Sequence, residues 1–466
     1  MTESARPSEG LNTTSIQERR EVLLETTREL LEQRDLQGLR LILNNQHAAD
    51  LAELMRQLDE DQQSQVLKSL ADALAADVLA EMDPQAALSI AEEMGHEELS
   101  DLVEEMEPDD AADLLADLPE ADSNRVLELM EEEGAAQVRE LLTHEEDTGG
   151  GIMTSRLIAL RPEMTVADAV ARLRTWAEQD HEEVHYLYVV DEAGRLTGSV
   201  SLRKLILARG NARIGELAEQ TLIAVRTDTD QEEVARLFSE YDLLAVPVVD
   251  DEGKLVGRVT IDDVVEVIHQ EATEDIYVMA ATSSEELEAR TVAGVVRRRL
   301  PWLLVCVVGT FISGSVINLF QNTIASLKGL LIFVPAIMAM GGNTGLQATT
   351  VTVRGLATGQ LQSGGLLLAA FRELRIGLVM GVILGVLFLG VSQVWTGTPL
   401  IGVCVGSAMV VAVVFSVVLG VLIPVLFRSL GVDPAVASGP LITTLNDGLS
   451  LGLYFTIAAQ LLRHFG

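Results

Sequence analysis

Residues 189–205 read VVDEAGRLTGSVSLRKL, and residues 248–264 read VVDDEGKLVGRVTIDDV. The two copies align without a gap. Each begins with a β-branched run, passes an acidic turn containing Gly, resumes with apolar alternation and ends in a helical pattern. What precedes them also matches. MTSRLIALRPEMTVADAVARLR (153–174) and LIAVRTDTDQEEVARLF (222–238) each read as a strand followed by an amphipathic helix. This duplication predicts a compact α/β module over residues 146–270.

Toward the N-terminus the period changes. Residues 1–15 are polar and expected to be disordered. From residue 16 to 145 the chain reads as helix after short helix, as in DQQSQVLKSLADALAADVLAEMDP (61–84) and HEELSDLVEEMEPDDAADLLADLPEADSNRVLELM (96–130). Pro84, Pro108 and Pro119 punctuate the run beside acids placed to cap helix starts. Short repeated units of this kind predict an all-α solenoid.

Toward the C-terminus the chain becomes apolar. Residues 271–299 read as a linking segment with helical stretches, and residues 300–466 as an all-α membrane domain. Five spans, near 301–321, 330–356, 366–394, 399–427 and 434–462, each exceed the roughly 20 residues needed to cross a bilayer. Arg297–Arg299, Arg354, Arg372, Arg375 and Arg428 fall on one side if the N-terminus is cytoplasmic and the C-terminus outside. Lys328 and Arg463 are single exceptions.

Charge divides the chain at the same place. The formal net charge is −37; the first 300 residues carry −40 and the remainder +3. An acidic soluble part argues against nucleic acid as partner and favours cations. The two cysteines, Cys306 and Cys404, both lie in apolar stretches, so no disulfide framework or thiolate metal site is expected. MTESARPSEG lacks the apolar core of a secretory signal, which places the soluble part in the cytoplasm. No phosphate-binding loop, nucleophile elbow or zinc-protease motif occurs, and no enzyme is expected. His181 and His185 lie four apart, but in a polar loop-like run that does not predict a metal pair.

Within DPAVASGPLITTLNDGLSLGLYF (433–455), Gly439, Thr443 and Asp447 are spaced i, i+4, i+8 and share one helix face. They offer backbone, hydroxyl and carboxylate oxygens, which suit Mg²⁺, Ca²⁺ or Mn²⁺. Pro440 beside them removes a backbone donor. A carboxylate in a span costs roughly 2.5–3.5 kcal/mol even on lenient scales and marks a functional position. Asn446 is free to turn toward either neighbour. In MAMGGNTGLQATTVTVRG (338–355), the run Gly341–Gly345 predicts either close helix contact or a locally opened backbone lining a cavity. Asn343 and Gln347 are again four apart.

The order of parts, with YDLLAVPVVD (241–250), KLVGRVTIDDVVEVI (254–268), EATEDI (271–276), MGGNTGLQATTVTVRGLATG (340–359) and the 433–455 stretch, resembles the MgtE family of magnesium channels and transporters. The duplicated module resembles a tandem CBS pair. The resemblance implies a multidomain fold: helical N-domain, CBS pair, linking (plug-type) helix and five transmembrane helices. It implies a homodimer in a bacterial inner membrane with one pathway for Mg²⁺ at the subunit interface, lined by Gly439, Thr443 and Asp447. It implies closure by intracellular Mg²⁺ bridging acids, with Asp230, Glu232, Asp242, Asp263, Glu271, Glu274 and Asp275 at matching positions, and Asp109, Asp110 and Asp113 in the N-domain. Thr260 and Asp263 match the pattern that holds a nucleotide ribose in CBS pairs, so ATP is an expected second ligand. The first repeat has Ser201 and Lys204 there. Gln321 departs from the family, whose members usually carry an acid at that place. Two other readings stay open: a carrier of Co²⁺ or Mn²⁺, and a non-conducting sensor of Mg²⁺ or nucleotide.

Overall fold

The computed structural model describes residues 14–177, 184–283, 286, 291–359, 361, 365–437 and 439–465. The expected tail up to residue 13, and His181, lie outside the described residues. The chain forms two compact units, Met1–Val267 and Ile268–Gly466.

The first unit opens with α1 (Thr14–Gln33) and nine short helices: α2 (Leu36–Leu43), α3 (Ala48–Met55), α4 (Glu60–Leu67), α5 (Asp72–Ala80), α6 (Pro84–Glu93), α7 (His96–Glu105), α8 (Pro108–Asp117), α9 (Glu120–Leu129) and α10 (Glu132–Leu141). Alternate helices stack, α3 on α5, α5 on α7, α7 on α9, and α6 on α8, α8 on α10. Each helix is too short to stand alone, and stacking buries one apolar stripe per helix in a continuous core. Asp59 and Gln62 close α4 with a reciprocal capping box. The acids before Pro84 and Pro108 behave otherwise than expected. Asp83 and Glu107 stand at the N-cap, yet neither side chain caps its helix. The fixed φ of proline at the first helical position starts those helices.

Each copy of the duplicated module is a three-stranded sheet with helices. The first holds β1 (Ala159–Leu160), α11 (Val166–Ala177), β2 (Tyr186–Val190), β3 (Leu196–Ser201), α12 (Leu202–Leu207) and α13 (Ile214–Leu217). The second holds β4 (Val225–Arg226), α14 (Gln231–Tyr241), β5 (Ala245–Val249), β6 (Leu255–Thr260) and α15 (Ile261–Met279). In both, the first strand pairs parallel to the second, which pairs antiparallel to the third. Gly194 and Gly253 take positive φ at the two hairpin turns, as the aligned sequences require. The segment leaving α10 pairs with the second repeat, Thr148 against Asp230 and Thr154 against Arg258. The core of the helical domain is accordingly continuous with Val246, Val248, Val259 and Val264 of the second repeat, whereas the first repeat has its own core.

The second unit comprises the end of α15, α16 (Val292–Leu319), α17 (Gln321–Ser326), a 3-10 turn (Lys328–Phe333), α18 (Val334–Ala357), α19 (Leu366–Thr396), α20 (Pro399–Ser429), a 3-10 turn (Pro434–Ala437) and α21 (Gly439–Phe465). Among the described residues four segments are long and apolar enough to cross a membrane: Val292–Leu319, Lys328–Ala357, Leu366–Thr396 and Pro399–Ser429. α21 has 27 residues, enough for about 40 Å. Its polar residues Thr443, Thr444, Asn446, Asp447 and Ser450 keep it out of that apolar group, so four of the five expected spans are found by length and composition.

Small residues draw the helices together. Gly377, Gly381 and Gly385 of α19 receive Val417, Val410 and Gly406 of α20. On the other side of α20, a Cβ at Gly420 would meet the Gly345 carbonyl at 2.5 Å. The glycine run therefore serves close packing. α18 is unbroken through Gly341–Gly345, and the alternative of an opened backbone is not what this sequence adopts.

Candidate functional site

Two groups of polar side chains stand out, one in each unit. In the first unit, Asp109 and Asp110 occupy the first turn of α8, just after Pro108, with Asp113 one turn later. Asp262, Asp263 and Glu266 occupy the start of α15. These two helix starts face each other. Asp109 is 6% exposed, and its Oδ1 has no hydrogen-bond partner among the described residues. Burial, then Asp263 and Asp110, push its carboxyl well above the usual range. Burial, then Asp263 and Glu266, push Asp110 to about 7. Asp113, which keeps solvent access, is raised to about 7 by desolvation and by Asp110 and Glu146. Asp263 rises to about 6, with desolvation opposed by the hydrogen bond from Thr260. The N-terminal ends of two helices soften this repulsion but do not cancel it.

The charges that act most strongly on the carboxyls of this node are all negative. Among the described residues no three His, Cys, Asp or Glu side chains converge tightly enough to chelate a bare metal ion. A hydrated cation fits the node better, because Mg²⁺ keeps much of its water and bridges acids through it. Arg156 Nη2 donates to the Met106 carbonyl at 3.0 Å, fastening the end of α7 beside the node.

The other acids expected to bind regulatory ions are placed differently. Asp230 is the N-cap of α14, where its side chain accepts from Glu232 N at 2.8 Å. Asp242 ends the same helix with φ +52°, a left-handed conformation that Asp tolerates better than most residues. Asp230, Glu232 and Asp242 are exposed and are not among the charges acting most strongly on the node. Glu271, Glu274 and Asp275 lie on the later turns of α15, in the second unit. There Asp275 is raised by burial and by Asp433, against the opposing pull of Arg354. Asp433, which the sequence reading passed over, caps the 3-10 turn before α21 by accepting from Ala435 N at 2.8 Å.

Thr260 Oγ1 donates to Asp263 Oδ2 at 2.5 Å and Thr260 N at 3.3 Å, so the expected ribose-binding pair is also a helix cap. The same Thr–Asp cap occurs at Thr165 and Asp168, at the start of α11 rather than at the place equivalent to Thr260. Lys204, at the place of Asp263, pairs with Glu219.

The second group lines α18 and α21. Gly439 opens α21 with φ +55°, and a Cβ there would approach the Met279 carbonyl to 2.5 Å. Thr443 Oγ1 donates to the Gly439 and Pro440 carbonyls at 3.1 and 3.2 Å, so it is held on the face the spacing assigned to it. Asp447 is half-buried and has no hydrogen bond or ion pair among the described residues. α18 runs antiparallel to α21: Gly345 faces Ile442, and Gly341 faces Asn446 and Ser450. The opposite side of α18 exposes Asn343, Gln347, Thr350 and Arg354, spaced as one helical stripe. Gln321 begins α17 and shares a shallow groove with Asn318 and Lys328.

Comparisons with known proteins agree with this division. The MgtE intracellular N domain profile matches residues 46–147, the CBS domain profile 149–211 and 214–270, and the MgtE divalent cation transporter profile 334–457. A magnesium transporter MgtE of Thermus thermophilus is 42% identical over 328 residues, 70% of this chain and 72% of that protein. One from Bacillus subtilis is 40% identical over 322 residues, 69% and 71% of the two chains. A solved cytosolic domain of the Mg²⁺ channel MgtE in complex with ATP superposes with a TM-score of 0.50 at 40% identity, covering 52% of this chain and 99% of that one. The soluble part of a magnesium transporter gives a TM-score of 0.51 at 31% identity, covering 54% and 99%. With its acidic helical domain, its CBS pair and its apolar helices, the chain belongs to the MgtE family of magnesium transporters, which are membrane ion transporters and not enzymes.

Proposed function

We propose that the chain is a Mg²⁺-selective channel or transporter for magnesium uptake, working as a homodimer and closed by intracellular Mg²⁺. The observation that carries the reading is the polar stripe Asn343–Gln347–Thr350 on α18, uncovered in one copy, on a helix packed against the one that bears Asp447. Lipid does not solvate carboxamides or a carboxylate. A second copy around a wet passage does, and α21 then serves as the fifth crossing. Ile206 and Leu207 of α12, 69% and 75% exposed, supply further apolar surface for a second copy.

Asp447 attracts the ion and Thr443 and Gly439 offer oxygens to its water shell. The basic residues at one end of the helices support a cytoplasmic N-terminus and an outward C-terminus in a bacterial inner membrane. At the soluble node, cations replace protons between Asp109, Asp110, Asp113 and Asp263. Glu271, Glu274 and Asp275 act likewise with Asp433, while Asp230, Glu232 and Asp242 are ligands from the CBS side. Loss of the cations leaves like charges to repel and releases the closed form.

An adenine nucleotide at the CBS pair, with Thr260 and Asp263 toward the ribose, is the expected second ligand, supported by the ATP held by the related cytosolic domain. The test is growth of a Mg²⁺-uptake-deficient host. Wild type restores growth at low Mg²⁺ and Asp447→Ala does not; growth restored equally by both refutes the pathway. Competition by Co²⁺ or Mn²⁺ at equal concentration separates the carrier of another divalent ion, and unchanged cell Mg²⁺ in every variant indicates the non-conducting sensor.

A further inference from the structure

At the centre of the second unit lies a polar knot that the pathway does not use. Asn446 precedes Asp447 on α21 and is wholly buried, 0% exposed. Its Oδ1 accepts from Ser416 Oγ of α20 at 2.6 Å and from Ser450 Oγ, one turn along α21, at 3.2 Å. Its Nδ2 has no acceptor among the described residues. Gly341 of α18 stands opposite: a Cβ there would lie 2.9 Å from Asn446 Nδ2, 2.9 Å from Ser450 Oγ and 3.2 Å from Ser416 Oγ. Three helices thus meet at one carboxamide, and α18 comes this close because residue 341 has no side chain.

Hydrogen counting sharpens the picture. Ser416 has one hydroxyl proton and two acceptors within 2.6 Å, Asn446 Oδ1 and the Ala412 carbonyl. Turning the carboxamide over removes the competition, because Nδ2 then donates to Ser416 while Ser416 donates to Ala412. Oδ1 then faces Gly341. In either orientation two serines clamp the amide and one of its polar atoms faces α18 without a partner. An apolar residue of the same size would fill this place without that cost, so the amide contributes direction rather than burial.

We propose that Asn446 is a positioning residue for ion passage: its bond to Ser416 of α20, with Asn446 and Ser450 seated beneath Gly341 of α18, fixes the rotation of α21 about its axis, and so aims Asp447 and Thr443. Asp447 is the next residue, roughly 100° around the helix. It has no bond of its own to hold it among the described residues, so any rotation of α21 at Asn446 carries the carboxylate with it. This inference rests on the reading of Asp447 as the pathway carboxylate.

The test uses the full chain in a host without its own Mg²⁺ uptake. Protein abundance, initial Mg²⁺ uptake and preference for Mg²⁺ over Co²⁺ are measured for wild type, Asp447→Ala, Asn446→Leu, Ser416→Ala and the Asn446→Leu/Ser416→Ala double variant. Asn446→Leu keeps the branching of the side chain and removes the amide. The expected result is wild-type abundance, uptake lower by about tenfold and a severalfold change in ion preference. Ser416→Ala shifts both in the same direction by less, and the double variant is no worse than Asn446→Leu, because both cut one clamp. A merely structural role lowers abundance and uptake together and leaves ion preference untouched, which overturns the proposal. Wild-type preference in Ser416→Ala overturns it if Asn446→Leu does not accumulate. Wild-type uptake by Asp447→Ala removes instead the pathway reading beneath it, whatever Asn446→Leu does.

Discussion

Replacing Asp110 by Asn removes one charge from the node between α8 and α15 without changing its shape. Its carboxyl is pushed from 3.8 to about 7, first by burial and then by Asp263 and Glu266. Keeping such a group ionised at pH 7 costs roughly 4 kcal/mol, at about 1.4 kcal/mol per tenfold. Asn retains the burial cost of a polar group but not the repulsion. If repulsion accounts for about half, the closed form gains about 2 kcal/mol, or roughly 30-fold in population without Mg²⁺. The same substitution takes charge from the proposed cation site, so the response to Mg²⁺ is expected to become shallower. The assay is limited proteolysis of the detergent-solubilised full chain across a Mg²⁺ titration. Wild type is cut readily in chelator and protected by Mg²⁺; Asp110→Asn is already protected in chelator and changes little as Mg²⁺ rises. Equal cleavage of both in chelator refutes the reasoning, since the repulsion would then not be holding the form open.

The same carboxyls set a pH dependence. Asp110 and Asp113 at about 7 and Asp263 at about 6 bind protons in this fold that the unfolded chain releases above 3.8. Their stabilisation is complete below pH 3.8 and is lost as pH rises through 6 to 7. In chelator, protection from protease is expected to be greater at pH 6 than at pH 8, and a pH-independent pattern would contradict it. Gly439→Ala places a Cβ 2.5 Å from the Met279 carbonyl at φ +55°. The backbone alone costs roughly 1–2 kcal/mol, so the variant should lose Mg²⁺ uptake severalfold and lower the unfolding temperature in a thermal-shift assay. Gly420→Leu drives a side chain into the Gly345 carbonyl at 2.5 Å and should abolish accumulation, read by immunoblot of membranes, whereas Gly390→Leu, with open space around it, should accumulate normally.

The repeat at 189–205 and 248–264 made the CBS pair legible, because its period-2 runs and turn glycines recur in register. The solenoid was legible for a similar reason. The face shared by Gly439, Thr443 and Asp447 follows from helical spacing and survives folding. What the sequence did not yield depends on contacts far apart in the chain. Nothing local tells that Asn446 turns toward Ser416, thirty residues away, or that Asp433 lies near enough to raise the carboxyl of Asp275. The glycine run was read two ways, since only Gly420 and Ser416 on another helix decide between packing and opening. Asp109, Asp110, Asp113 and Asp263 were singled out by resemblance. The reason they matter, two acidic helix starts set against each other, needed the fold. Asp230 and Asp242 show the converse, acids whose positions also satisfy the ends of α14.

The central claim concerns Asp447 and is tested most directly by flux. Purified protein is placed in liposomes carrying a Mg²⁺-sensitive dye, and a Mg²⁺ gradient is applied with little Mg²⁺ on the cytoplasmic side. Wild type is predicted to admit Mg²⁺ and Asp447→Ala to admit no more than protein-free vesicles. Influx through Asp447→Ala at the wild-type rate would contradict the account.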